Sequence, residues 1–591
     1  MYAPEPVLRQ ITADRPLVRA GRKAAMLGAS LVAFVFSWFF RFNDPGGSFA
    51  GLTDDHFFYL VRGWQILFGD LPVRDFVDHG APLYYYLAAA VQQWFGRGTL
   101  SEMTFAVTVL SASAALTFWL AARASGSILA GGTAALVHIL LEPRLYNYPK
   151  ILVYAVAIPL LWRFADRPGP RAGFWLAVVT VLGFLFRHDH GAFVAVAFAA
   201  LLVSLGSLDW RARLRQAVVY AAFVLALLAP YLVFIQVNGG LRMYFRDAFA
   251  WAERDRGRAP LVWPSVFEET PEATVDAASA PLPVRAVESV RANFAAWMFY
   301  VELAVPAIAL VVLAVSRDGF RGDWPHAIPK LTCVAILGLV LNAGFLRHPL
   351  GARLADPSVP HAILLAWLLA ALAKMLVSRS SLREGLQSWA WLVRAGFAAA
   401  MLIVVFVSCA GFSRNLHDRL AKAALVRGPA EAIERAGRVR QQLREDWQLA
   451  SWEHREDRPD LINLSLYVNA CTAPDDRVFI QHYAPQVLAL ARRAFAGGHA
   501  DLRPGFFTTN EDQRLTLDRL RRQRVPIVLL ETGDGYVAFR ESFPLIATYF
   551  DEHYTLAGTR VFDRRFGVQL FVRKGSRPHR MYEPLGWPCF S

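Results

Sequence analysis

Pro82-Leu83-Tyr84-Tyr85-Tyr86-Leu87-Ala88-Ala89-Ala90-Val91-Gln92-Gln93-Trp94-Phe95 decides the topology of this chain. The run is apolar enough to suggest a membrane span. It is only about 14 residues long, however, against the roughly 20 needed to cross the hydrocarbon core. It is also rich in Tyr and Trp, residues that favour the water–lipid boundary. Counted as a span, it would invert every later loop. Counted as a helix lying in the interface, it leaves the rest of the chain in register.

That register rests on apolar runs near 24–42, 101–122, 125–142, 149–163, 172–187, 191–208, 214–236, 295–315, 328–346, 358–377 and 391–412. With these as about 11 spans, the loops on the side of the N-terminus carry Arg123; Arg163, Arg167 and Arg171; Arg211, Arg213 and Arg215; Arg317, Arg321 and Lys330; and Lys374, Arg379, Arg383 and Arg394. The opposite short loops carry only Arg144 and Lys150; Arg187; and Arg347 and Arg353. The tail 1–23 adds Arg9, Arg15, Arg19, Arg22 and Lys23. Basic residues gather on the cytoplasmic side, so the tail is expected in the cytoplasm. The first run has Phe, Trp and Arg where a signal peptide would have small residues, so it is expected to stay as a span.

Composition agrees. Of 591 residues, 55% are hydrophobic and 19% charged, against about 25% charged in soluble proteins. Mean hydropathy is +0.31. The net charge of +14 sits beside apolar runs, which points to membrane topology rather than nucleic acid. Disorder, collagen and a small disulfide scaffold are excluded. The expected organisation is a cytoplasmic tail 1–23, a transmembrane domain 24–412 with a first outer loop 43–100 and a long outer loop 237–294, and an extracytoplasmic domain 413–591. The long loop, with its aromatic stretch from Met243-Tyr244-Phe245 to Trp251, suggests a partly helical flap.

The last domain alternates strand and helix patterns. A polar helix over 429–452 is followed by strand Arg477–Gln481, helix Ala484–Arg493, helix Glu511–Arg522, strand Pro526–Glu531, helix Phe543–His553 and strands near 555–563 and 567–573. This predicts a small α/β unit. Glu531-Thr532-Gly533-Asp534-Gly535 lacks the spacing and the Lys of a phosphate loop and is expected to be a turn. Cys471 and Cys589 lie in this polar region and can pair only if it faces an oxidising compartment.

The first outer loop holds the most informative chemistry: Thr53-Asp54-Asp55-His56-Phe57-Phe58-Tyr59, then Gly63-Trp64, Gly69-Asp70-Leu71-Pro72, Arg74-Asp75-Phe76 and Asp78-His79-Gly80-Ala81-Pro82. Thr53 is a good N-cap, and acids in a first helical turn are favoured by the helix dipole. Capping alone would account for Asp54 and Asp55. But Phe57, Phe58, Val61, Trp64 and Phe68 recur at helical spacing, a stripe that would lay the helix on the membrane. The two carboxylates would then stand at the outer mouth of the bundle, where one can take a proton from an incoming hydroxyl or amine.

This pattern resembles bacterial members of the GT-C glycosyltransferase superfamily: the protein O-mannosyltransferase, the lipid A aminoarabinose transferase and the rhizobial lipopolysaccharide galacturonosyltransferase. The resemblance covers roughly 20–410 and is specific in the first loop. It implies an α-helical polytopic GT-C fold with interfacial helices in that loop, in a bacterial inner membrane. It implies transfer of a sugar from a polyprenyl-phosphate donor to an extracytoplasmic glycan, lipid or protein, with an acidic base in the first loop. Carried over, the base is Asp54, with Asp55 as its support or a metal contact. The family's donor-contacting Lys before a Pro pair is missing from His79-Gly80-Ala81-Pro82; His79 replaces it only when protonated.

The polyprenyl phosphate leaving group needs one or two cations. Arg187-His188-Asp189-His190 is either an ordinary short loop with a snorkelling Arg187 or a donor-phosphate or cation site. Lys150 and Arg347 offer the same choice. A divalent cation, Mg or Mn, would have Asp55 and Asp189 as ligands; the spacing matches no zinc motif. Two competing functions share these features: a transporter or flippase of lipid-linked sugars, and a non-catalytic envelope assembly protein.

Overall fold

The computed structural model describes residues 16–44, 54–257, 262–267, 281–315, 325–347, 353–377, 389–413, 416–446, 460–481, 483–563 and 566–590. Each of the eleven apolar runs falls on a helix. In chain order the elements up to the last span are α1 Pro16–Asn43, α2 Asp54–Leu67, α3 Pro82–Phe95, α4 Thr99–Ser125, α5 Ile128–Leu140, α6 Tyr148–Asp166, α7 Pro170–Phe186, α8 His188–Ser204, α9 Trp210–Asn238, α10 Leu241–Gly257, α11 Leu282–Ala292, α12 Phe294–Val315, α13 Ala327–Arg347, α14 Ser358–Val377 and α15 Trp389–Phe412. Eight of the eleven are long and apolar enough to cross a membrane; α5, α7 and α8 are shorter. The chain is a multi-pass membrane protein in architecture. The core lies between helices, with α4 packed on α1 and α5, α7 on α8 and α9, and α13 on α8 and α12.

The deciding run forms α3, which starts with Pro82 at its first position, where the missing N–H loses no bond. Its aromatic edge stays open, with Tyr86 41%, Trp94 78% and Phe95 69% exposed. Helix α2 differs from expectation. Its stripe of Phe57, Phe58, Val61 and Trp64 is buried, because α3 covers one flank and the C-terminal domain the other. The stripe therefore faces protein, not lipid. Gly63 permits the close crossing: a Cβ there would stand 2.9 Å from Ala88 Cβ and 3.0 Å from the Ala89 amide nitrogen.

Beyond α15 come α16 Leu416–Lys422, α17 Pro429–Asp446 and α18 Asp460–Cys471, then β1 Arg477–Ile480, α19 Pro485–Ala491, β2 Ala494–Phe495, α20 Asn510–Arg522, β3 Ile527–Glu531, α21 Asp534–Ser542, α22 Pro544–His553, β4 Tyr554–Asp563, β5 Phe566–Arg573, β6 Arg580–Tyr582 and β7 Trp587–Cys589. The main sheet has the order β2-β1-β3-β5-β4. Strands β2, β1 and β3 are parallel, and β5 and β4 continue it antiparallel. The predicted turn at 531–535 instead leads into α21.

Cys471 of α18 and Cys589 of β7 form a disulfide across 118 residues of sequence. Replacing Cys471 by Ser is expected to destabilise this domain by about 2–5 kcal/mol. Thermal unfolding of the detergent-solubilised chain should show the drop, and reductant should reproduce it in the unaltered protein.

Candidate active site

The C-terminal domain is seated on the first loop. Arg477 at the start of β1 makes two bonds to Asp70, Nη1 to Oδ2 at 2.5 Å and Nη2 to Oδ1 at 3.0 Å. Gln65 and the backbone of Phe495 exchange hydrogen bonds, both 3.1 Å. The amide of Val77 donates to the carbonyl of Gly498 at 3.0 Å. This seam extends the sheet's β2 edge onto α2.

Asp54 opens α2; its side chain lies outside the described residues. Asp55 is half-buried beside it, and its Oδ1 accepts a hydrogen bond of 2.8 Å from the hydroxyl of Tyr483. Tyr483 follows β1 in the C-terminal domain. One turn on, Tyr59 stacks on Tyr84 at 4.1 Å and stands 6.5 Å from Tyr146. Burial pushes the Tyr59 phenol above its ordinary range; Arg187 opposes that shift and Asp55 adds to it. Tyr59 thus lies within electrostatic reach of both the first-loop acid and the 187–190 turn.

That turn is a charge cluster. Arg187 holds Asp189 in a fork, Nε to Oδ1 and Nη2 to Oδ2, both 2.7 Å. Asp189 also meets His190 Nδ1 at 3.2 Å, and Tyr154 is hydrogen-bonded to the same nitrogen at 2.8 Å. Lys150 pairs with Asp356 at 2.5 Å. The cations differ in access: the side chain of Arg187 is 37% exposed and that of Lys150 only 7%. The side chain of Arg347 lies outside the described residues.

Asp78 ties these parts together. Its Oδ1 accepts from the amides of Gly80 and Ala81 at 2.8 and 3.0 Å. Its Oδ2 accepts from the hydroxyls of Tyr231 on α9 and Tyr244 on α10, the latter at 2.8 Å. Tyr244 is also hydrogen-bonded to His188 Nε2 at 3.1 Å. His188 is therefore engaged in linking the turn to α10. Gly80, at φ +83, lies against it: a Cβ there would stand 2.8 Å from His188 Cε1. Gly80→Ala is expected to cost about 1–3 kcal/mol from strained backbone and ring displacement, read as a lowered unfolding temperature.

His79 packs on Phe58 at 5.1 Å and Phe507 at 5.8 Å. Burial, then Arg62, His499 and Arg503, holds its imidazole well below the usual range. That shift runs against the protonated form that replacing the missing Lys would require. His499 is pushed down to about 3, again chiefly by burial. Both groups bind fewer protons folded than unfolded below pH 6.5, so their contribution is intact above that pH and is lost as pH falls. For His499 this should cost about 1 kcal/mol per pH unit between pH 6 and 5. Unfolding followed against pH checks this, and His499→Phe should flatten the slope.

Among the described residues no group of three His, Cys, Asp or Glu side chains forms a metal-ligand set. The Asp189 oxygens are engaged by Arg187 and His190. A cavity of about 280 Å³ lies elsewhere, lined by Phe40, Leu140, Glu142, Arg291, Phe294 and Arg419 among others.

Asp78, Tyr244, Asp356 and Tyr483 were not singled out by sequence. Asp78 carried a usable signal, an acid two residues before a Gly and four before a Pro, the pattern of a turn capped by its own side chain. Tyr483 carried none.

No family model matches the chain, and no curated protein does. Among solved structures it is similar to ArnT from Cupriavidus metallidurans bound to undecaprenyl phosphate, at 11% identity over 94% of this chain and 98% of that one, with a TM-score of 0.44. The apo state of the same protein aligns at 12% identity over the same shares, with a TM-score of 0.43. At these values no residue or role is transferred from either.

Proposed function

We propose that the chain is an integral membrane glycosyltransferase of the GT-C type, passing a sugar from a polyprenyl-phosphate donor to an extracytoplasmic acceptor. The observation that carries this is that the first loop, through Asp78 and Tyr244, is hydrogen-bonded to His188 beside the Arg187–Asp189 fork, while Asp55 of the same loop is held by the C-terminal domain. The acceptor hydroxyl attacks the anomeric carbon while Asp54 takes its proton. The bond to the lipid phosphate breaks, and the phosphate leaves with its charge balanced by a cation. Direct displacement inverts the anomeric centre. Exposure favours Arg187 for that contact over Lys150, which is buried against Asp356.

Two observations support an extracytoplasmic site. The disulfide Cys471–Cys589 suits an oxidising compartment. The C-terminal domain rests on the first loop, so both belong on one side, as an odd number of spans with a cytoplasmic N-terminus requires. The test is reconstitution of the full chain in liposomes with a polyprenyl-phosphate sugar and an envelope extract. A new glycosidic linkage is expected. Transbilayer movement of the donor without a new linkage would make the chain a transporter instead.

A further inference from the structure

We infer that Tyr483 of the C-terminal domain is a positioning residue of the transfer site, fixing the Asp55 carboxylate and with it the first turn of α2. The inference rests on the function proposed above.

Three observations carry it. Tyr483 reaches across 428 positions of sequence to donate to Asp55 Oδ1 at 2.8 Å. Its ring is held in place, with Arg503 over it at 4.6 Å and Phe58 at 6.1 Å. It also sits just past the carboxyl end of β1, the strand flanked by β2 on one side and β3 on the other. The chain reverses its direction of winding there, and in open α/β sheets such a crevice is where ligands are met. Here the first loop occupies that position.

The chemistry follows from the donor's identity. Burial, then Asp55, pushes the phenol of Tyr483 upward, so it stays protonated and can only donate to the carboxylate. A carboxylate with one oxygen committed to a half-buried phenol is restricted in its rotamer. Asp54 precedes it in the same first helical turn, so fixing Asp55 fixes the start of α2. The C-terminal domain therefore completes the site.

The test uses the full chain in liposomes with a polyprenyl-phosphate sugar and envelope extract. Tyr483→Phe removes only the hydroxyl and keeps the ring contacts with Arg503 and Phe58. It should lower kcat about 10- to 100-fold, the range for loss of a hydrogen bond to a charged group. The KM for donor should be unchanged, and the unfolding temperature should fall only by the amount one lost hydrogen bond costs. Adding Tyr483→Phe to Asp55→Glu should cost far less than in the unaltered chain, because the two act as one unit. Undiminished kcat in Tyr483→Phe, or losses that multiply in the double variant, would overturn the inference while leaving the proposed function standing. If the unaltered chain makes no linkage, the proposed function fails and the inference with it; if Asp54→Asn and Asp55→Asn both transfer at full rate, the acids play no part and the inference fails while the proposed function stands.

Discussion

Asp54→Asn should abolish sugar transfer, lowering kcat by about 10²- to 10⁴-fold, the span attributed to a positioned general base. Asn keeps the shape and the capping capacity of the side chain, so α2 should still start at residue 54 and the chain should unfold at its usual temperature. Binding of the polyprenyl-phosphate donor should also survive, because the cations assigned to it lie on other elements. Asp55→Asn should be milder. An amide oxygen can still accept from Tyr483, so orientation is partly retained. A larger loss from Asp55→Asn than from Asp54→Asn would exchange the two roles. Steady-state kinetics on both variants with one donor preparation decides between them.

Arg477→Ala should release the C-terminal domain from the first loop. Arg477 and Asp70 are 17% and 13% exposed at their side chains, and removing one member of such a pair leaves the other charge without its partner. The cost is about 3 kcal/mol. Asp70 retains the amide of Gln65 at 2.7 Å, which does not replace a bidentate guanidinium. Transfer should fall more than 10-fold, because Tyr483 no longer reaches Asp55. The C-terminal domain should become more sensitive to limited proteolysis. Reversing both charges, Asp70→Arg with Arg477→Asp, should recover part of the activity. Full activity in Arg477→Ala would show that the seam does not hold the site together.

Much of the membrane architecture was legible in the sequence, because it follows from one-dimensional quantities. Span length, loop charge and the short aromatic run at 82–95 are local properties, and each predicted run falls on a helix. The α/β alternation at 477–573 was legible for the same reason. Tertiary partners were not. The stripe of α2 looked fit for lipid, since Phe57 and Trp64 satisfy either an acyl chain or a protein surface; the docking of residues 485–498 decides in favour of protein. The same docking brings Tyr483 to Asp55, and no spacing in the chain announces it. Arg187 and Asp189 stand in a charged turn in the sequence, but their bidentate fork exists only in three dimensions. His79 is a cation only when protonated, and burial among Phe58, Phe507, Arg62 and Arg503 disfavours that form. The pairing of Cys471 with Cys589 depended on α18 and β7 meeting, elements that the sequence pattern did not delimit.

The central claim is that acids at the start of α2 drive sugar transfer from a polyprenyl phosphate. Its most direct test is mass spectrometry of envelope glycolipids and glycans from cells carrying the unaltered chain and cells carrying only the Asp54→Asn variant at equal abundance. The account predicts that one acceptor lacks a single sugar unit in the variant cells, while a polyprenyl-phosphate sugar of the same mass accumulates. Identical envelope profiles, with no accumulated donor, would contradict it.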